Sequence, residues 1–152
     1  MSKRIAAMII LRSGSRYLLL RRKNEPNRGM YVPVGGKLEP HESPRAAASR
    51  ELLEETGIEV AAEELTFCGI LTESSPTDYN WICYVFLVDI DDCEPPVCDE
   101  GLLEWIEHDD RPTVPTPPTN AAIYECVLRG EQFVFDAEYD KNLQMIGMRR
   151  EV

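Results

Sequence analysis

The chain has 152 residues, of which 43% are hydrophobic and 28% charged, and it carries a net charge of −11 at pH 7. That length suits one domain, residues 1–152, with an adequate core, and the negative balance opposes nucleic acid as a partner, because binding a polyanion rests on Lys and Arg contacts to phosphates. The longest apolar runs, residues 5–11 and 81–90, are too short to cross a bilayer, so no membrane partner is expected.

Arg4 to Leu11 and Arg16 to Arg22 read as two strands joined by the turn Ser13-Gly14-Ser15. Residues 24–29 form a loop, and Met30 to Val34 a short strand that runs into Gly35-Gly36. A helix follows. Ser43 can cap it, Pro44 suits the first helical position, and Gly57 is placed to end it in a left-handed conformation. Leu65 to Leu71 reads as a strand, residues 73–79 as a polar loop, and Trp81 to Ile90 as the strongest strand, apolar enough to be central. Leu102 to Glu107 is a further strand. Arg111 to Pro118, with four prolines, is an ordered loop or arm. Thr119 to Leu128 is a second helix closed by Gly130, and Gln132 to Ala137 with Leu143 to Met148 forms a closing hairpin. Strands alternating with two helices give an α/β class. The five cysteines are an odd number without a Cys-x-x-Cys pair, and no export-type hydrophobic region with a cleavage site follows the first residues, so reduced thiols and a cytoplasmic location are expected.

The first helix carries the chemistry. Glu51, Glu54 and Glu55 fall within an arc of about 100°. Ala47 and Ala48 share that arc and leave space above it, while Ala46, Ser49, Leu52 and Leu53 lie on the packing side. Glu51 and Glu55 are a like-charge i,i+4 pair, and Glu54 and Glu55 sit near the negative end of the helix dipole. Three glutamates on a helix are by themselves usually a solvated face. The flanking residues change the balance: Gly35-Gly36 lets backbone approach a ligand closely, and Arg50 can orient a carboxylate. A cation between the carboxylates removes both penalties, and clustered carboxylate oxygens suit Mg²⁺ or Mn²⁺. Arg21, Arg22, Lys23, Arg28 and Lys37 concentrate positive charge nearby, which suits a bound polyphosphate.

Gly36, Glu42, Arg50-Glu51-Leu52, Glu54-Glu55 and Gly57-Ile58 fill every fixed position of the Nudix box, and the chain resembles the Nudix hydrolase family over residues 36–58. The resemblance implies an α/β/α sandwich around a mixed sheet, and Mg²⁺-dependent hydrolysis of a nucleoside diphosphate linked to another group. By position it makes Glu51, Glu54, Glu55 and the Gly35 carbonyl metal ligands. Glu42 becomes the tie between loop and helix, Arg50 the residue that orients a carboxylate, and Lys37 a phosphate-facing lysine. Glu54 is the first choice of general base, with Glu51 or Glu100 as alternatives.

Outside the box the resemblance is to the MutT-like branch, which cleaves oxidised nucleoside triphosphates such as 8-oxo-dGTP to a monophosphate and pyrophosphate. Glu100, or Asp99 by a one-residue shift, matches an additional metal ligand. Arg22 matches a phosphate-binding arginine, and Asn120 in Pro117-Pro118-Thr119-Asn120 matches a reader of the purine edge. Plainer uses remain for each: Glu100 as a loop glutamate, Thr119 or Asn120 as a helix cap, Tyr79 and Trp81 as packing rather than base stacking. The alternatives are an ADP-ribose, nucleotide-sugar or dinucleotide pyrophosphatase, and a non-catalytic nucleotide-binding module. The expected partner is a small-molecule nucleotide; oligomeric state is not legible.

Overall fold

The central strands are buried on both faces, which is why they read as continuous apolar runs rather than alternating ones. In the computed structural model, which describes residues 2–152, Arg4–Ser13 (β1) and Trp81–Asp89 (β6) pair in parallel at the middle of the sheet. Around them lie Arg16–Arg22 (β2), Tyr31–Val32 (β3), Val34–Lys37 (β4), Thr66–Ser74 (β5), Val97–Cys98 (β7), Gly101–Glu107 (β8), Phe133–Tyr139 (β9) and Met145–Arg150 (β10). The order is β10-β9-β5-β6-β1-β2-β8-β7, with β3 beside β2 and β4 beside β1. β5 and β9 also pair in parallel and the other pairings are antiparallel, so the sheet is mixed.

Pro44–Thr56 (α1) covers one face of the sheet. Ala47, Ala48 and Leu52 pack there against Ile9, Leu11, Leu18 and Phe86. Asn120–Arg129 (α2) covers the other, where Ile123, Tyr124 and Val127 meet Ile10, Leu19, Val85 and Phe133. This is the expected α/β/α sandwich. No helix among the described residues is long and apolar enough to cross a membrane. The ends of α1 follow local chemistry: Ser43 Oγ accepts from the Ala46 amide at 3.2 Å, and Gly57 (φ 74°) donates to Leu53 at 2.8 Å.

Four details differ from the sequence reading. Ala47 and Ala48 are not open space over the glutamates but fully buried, and Ala46 and Leu53, expected on the packing side, are exposed; two methyl-sized side chains let the helix lie close on the sheet, so the buried stripe runs through the acidic arc. The single strand expected over residues 30–34 breaks at Pro33, which has no amide hydrogen to donate; β3 pairs with β2 and β4 with β1. β5 runs on to Ser74 because it is paired on both sides there, with β6 and β9, so Glu73 lies in a strand rather than a loop. The proline-rich arm begins in 3₁₀ turns over His108–Thr113.

Candidate active site

β4 and α1 build one wall of a cleft of about 510 Å³. Its position follows from two glycines. A side chain at Gly35 would strike the Ala7 carbonyl on β1, and one at Gly36 would fall on the Glu51 carboxylate. Glycine at both positions therefore lets β4 pair tightly with β1 and lets α1 lay Glu51 over the strand.

Arg50 fixes this geometry. Its Nε and Nη2 grip Glu42 at 2.7 and 2.8 Å, its Nη1 reaches Glu51 Oε1 at 2.9 Å and Glu54 Oε2 at 3.2 Å, and Nη2 also donates to the Lys37 carbonyl at 3.1 Å. One guanidinium thus ties the loop after β4 to the acidic face of α1. The Arg50 hydrogen bonds, helped by the Glu39 amide, hold the Glu42 carboxyl well down, to about 2.

The three glutamates part company. Glu51 is 16% exposed at its side chain whereas Glu54 is 59% exposed. Glu51 and Glu55 line the cleft; Glu54 does not. Glu55 Oε2 accepts from the Gly35 amide at 3.3 Å. Burial pushes Glu55 up to about 7, with Glu51 and Glu100 adding repulsion against that amide and Arg22. Burial likewise raises Glu51 despite Arg50.

This donor set fits a hard divalent cation. Arg50 takes one oxygen of Glu51 and Gly35 one of Glu55, and the second oxygen of each has no hydrogen bond among the described residues. Two neighbouring half-buried carboxylates, of which Arg50 pairs only Glu51, favour a cation. Among the described residues no three acidic, His or Cys side chains close a complete cage.

The other expected residues reach the same cleft. Arg22, Lys37, Glu100 and Asn120 all line it. Arg22 is held by the Pro26 carbonyl at 2.8 Å. Glu100 is exposed at the rim, where its backbone accepts from Lys23. Asn120 is 2% exposed, its Oδ1 accepts from Thr119 Oγ at 3.2 Å, and its Nδ2 has no partner. The Thr119 side chain makes no capping hydrogen bond to α2.

A model of the NUDIX domain matches residues 1–127. The chain belongs to the Nudix family. It is a Nudix hydrolase, a pyrophosphohydrolase acting on nucleotide-linked substrates. It is 30% identical over 125 residues to an uncharacterized Nudix hydrolase, YvcI, of Bacillus subtilis, covering 80% of this chain and 77% of that one. Over 60 residues it is 43% identical to the CTP pyrophosphohydrolase of Escherichia coli, covering 40% of this chain and 44% of that one. Among solved structures it superposes on a MutT protein from Bacillus halodurans with a TM-score of 0.84 at 25% identity, covering 97% of each chain.

The cleft of this Nudix hydrolase holds a residue that sequence reasoning passed over. Glu73, only 8% exposed, lines its floor with Tyr79, Trp81 and Cys83. Tyr139, on β9, donates to Glu73 Oε2 at 2.6 Å. A signal existed: in β5, Glu73 is two residues from buried Leu71, so strand alternation carried two residues further puts both on one face. Reading residues 73–79 as a loop hid it.

Proposed function

We propose that this Nudix hydrolase converts a nucleoside triphosphate, oxidised forms such as 8-oxo-dGTP included, to the monophosphate and pyrophosphate. The observation that carries the reading is a single cleft with two chemically distinct sets of groups. One set is the box carboxylates Glu51 and Glu55 with Arg22 and Lys37; the other is the buried Asn120, whose Nδ2 has no partner, with the aromatic Tyr79 and Trp81. The first set suits phosphates and the second a base.

Glu51, Glu55 and the Gly35 carbonyl would hold Mg²⁺, or Mn²⁺ in its place, with Glu54 and Glu100 as further oxygen donors. When bound, the ion neutralises phosphate charge and acidifies a water. Arg50 holds Glu51 in register with the loop. Arg22 and Lys37 bind phosphate oxygens. Asn120 donates its free Nδ2 hydrogens to an acceptor on the base edge. Glu54 would take the proton of the attacking water; it stands outside the cleft lining, tied with Glu51 to Arg50, and its exposed carboxylate would turn inward to do so. The free cysteines suit a reducing cytoplasm, and residues 1–152 would act as one domain.

The test is chromatographic measurement of the nucleotide products formed with Mg²⁺ from a panel of 8-oxo-dGTP, dGTP, CTP, ADP-ribose and diadenosine polyphosphates, with pyrophosphate release measured for the triphosphates and Glu54→Gln alongside. A triphosphate should be the best substrate, and the variant should lose about 10²-fold in kcat. ADP-ribose as best substrate would overturn the substrate reading; a loss under about tenfold would remove Glu54 as base.

A further inference from the structure

A carboxylate at the floor of a cleft needs a reason, because burial disfavours its charge and a glutamine would fill the same space. Burial does raise the Glu73 carboxyl, countered by the hydrogen bonds from Tyr139 and Tyr79. Among the described residues no cation is bonded to its carboxylate: the neighbouring Lys3 ammonium, whose charge also favours the ionised form, bonds the Glu73 carbonyl and the Ser74 hydroxyl, each at 2.7 Å.

Its hydrogen bonding is lopsided. Oε2 accepts from Tyr139 at 2.6 Å and from Tyr79 at 3.3 Å. Oε1 has only the same Tyr79 hydroxyl, also at 3.3 Å. One phenol proton cannot serve both oxygens fully, so Oε1 is left short of a donor. An ionised carboxylate offers about four acceptor sites and no donor, and two phenols hold this one in place. The same cleft is lined by Cys83, by Thr119, by Asn120 with its unpaired Nδ2, and by the rings of Tyr79 and Trp81, whose centroids are 6.4 Å apart. Arg4, also on the cleft wall, lies over the Trp81 ring, 5.7 Å from its centroid.

We propose that Glu73 is a specificity-determining residue that accepts an N–H from the exocyclic amino group of the bound base, so that the cleft takes amino-bearing bases and rejects their oxo counterparts. The inference rests on the nucleotide reading of this cleft and names the substrate class within it. An amino group supplies the donor that Oε1 lacks. A carbonyl at the same place sets oxygen against a buried carboxylate, with no proton between them. Asn120 supplies the complementary donor, and guanine, adenine and cytosine each carry a ring or carbonyl acceptor near the amino group. The selection is therefore amino against oxo, whichever base the site prefers.

The experiment measures binding of matched monophosphates, GMP against XMP, AMP against IMP and CMP against UMP, by calorimetry without divalent metal, so that no turnover enters. Whichever pair binds best should favour the amino member by at least about tenfold, the order expected for losing a hydrogen bond to a charged group. Glu73→Gln, which can present either an oxygen or an NH₂ to the base, should bring that ratio to within about threefold. Equal binding of the members of every pair, no measurable binding of any monophosphate, or a ratio unchanged in a folded Glu73→Gln would overturn the inference. Should the variant not fold, the wild-type ratios decide alone. A chain that discriminates in binding yet hydrolyses no triphosphate keeps this inference and loses the proposed function; hydrolysis with no discrimination does the reverse.

Discussion

Gly36→Ala separates the chemistry of the site from the stability of the fold. An alanine methyl at this position would stand 2.5 Å from both carboxylate oxygens of Glu51, where ordinary contact begins at 3.4 Å. The carboxylate must then retreat by about 1 Å, and a misplacement of that size at a reacting centre costs roughly 10²-fold in rate. That corresponds to about 2.7 kcal/mol of activation free energy. The fold has little to lose: Gly36 is not in a left-handed conformation, the obstacle is the far end of a flexible side chain, and alanine is easier to order in a strand than glycine by roughly 0.5–1 kcal/mol. Pyrophosphate release and a thermal melt on the same protein give both numbers. We expect kcat to fall about 10²-fold while the melting temperature holds or rises slightly. Gly147→Ala, with nothing near its added methyl, is the control and should leave both unchanged. Gly35→Ala is the contrast: its methyl meets the Ala7 carbonyl of β1, so stability should fall along with activity. A folded Gly36→Ala enzyme within threefold of wild-type kcat would show that the placement of Glu51 does not limit the reaction.

Two predictions concern charge and pH. Glu55 is raised by burial to about 7, so the stability linked to its neutral form is complete below about pH 4.5 and is lost as pH rises through 7. Without divalent metal, wild type should therefore lose melting temperature relative to Glu55→Gln as pH rises from 5 to 8. Mg²⁺ should restore wild type and leave the variant unmoved; parallel profiles would reject the unbalanced carboxylate. Glu42 has the opposite sign. Its pKa is lowered to about 2, first by Arg50 and then by the Glu39 amide, so its contribution is present above about pH 4.5 and is lost as pH falls through 2. The gap in melting temperature between wild type and Glu42→Gln should be largest near neutrality and close over that acid window; a gap independent of pH would mean that the Arg50 clamp does not depend on charge.

The sequence by itself determined the family, the acidic helix and its ends. These are local: a cap at Ser43, a left-handed exit at Gly57 and a fixed spacing of carboxylates need no distant partner to be read. It determined the α/β class for the same reason, because the apolar runs of β1 and β6 announce strands covered on both sides. The gathering of Arg22, Glu100 and Asn120 around the box was legible only through resemblance, since nothing in their own segments says which way they face. The tertiary structure decided how the three glutamates differ. Helix periodicity puts Glu51, Glu54 and Glu55 on one arc, but only the sheet beneath decides that Ala47 and Ala48 are buried there, that Glu51 and Glu55 turn into the cleft, and that Glu54 stays open to solvent. It also decided the cleft floor. Glu73 becomes a buried acceptor only because β9 runs beside β5 and brings Tyr139, sixty-six positions along the chain, to within a hydrogen bond of it. Local rules fix which residue types a helix or a strand presents, whereas desolvation and long-range partners set what each carboxylate is able to do.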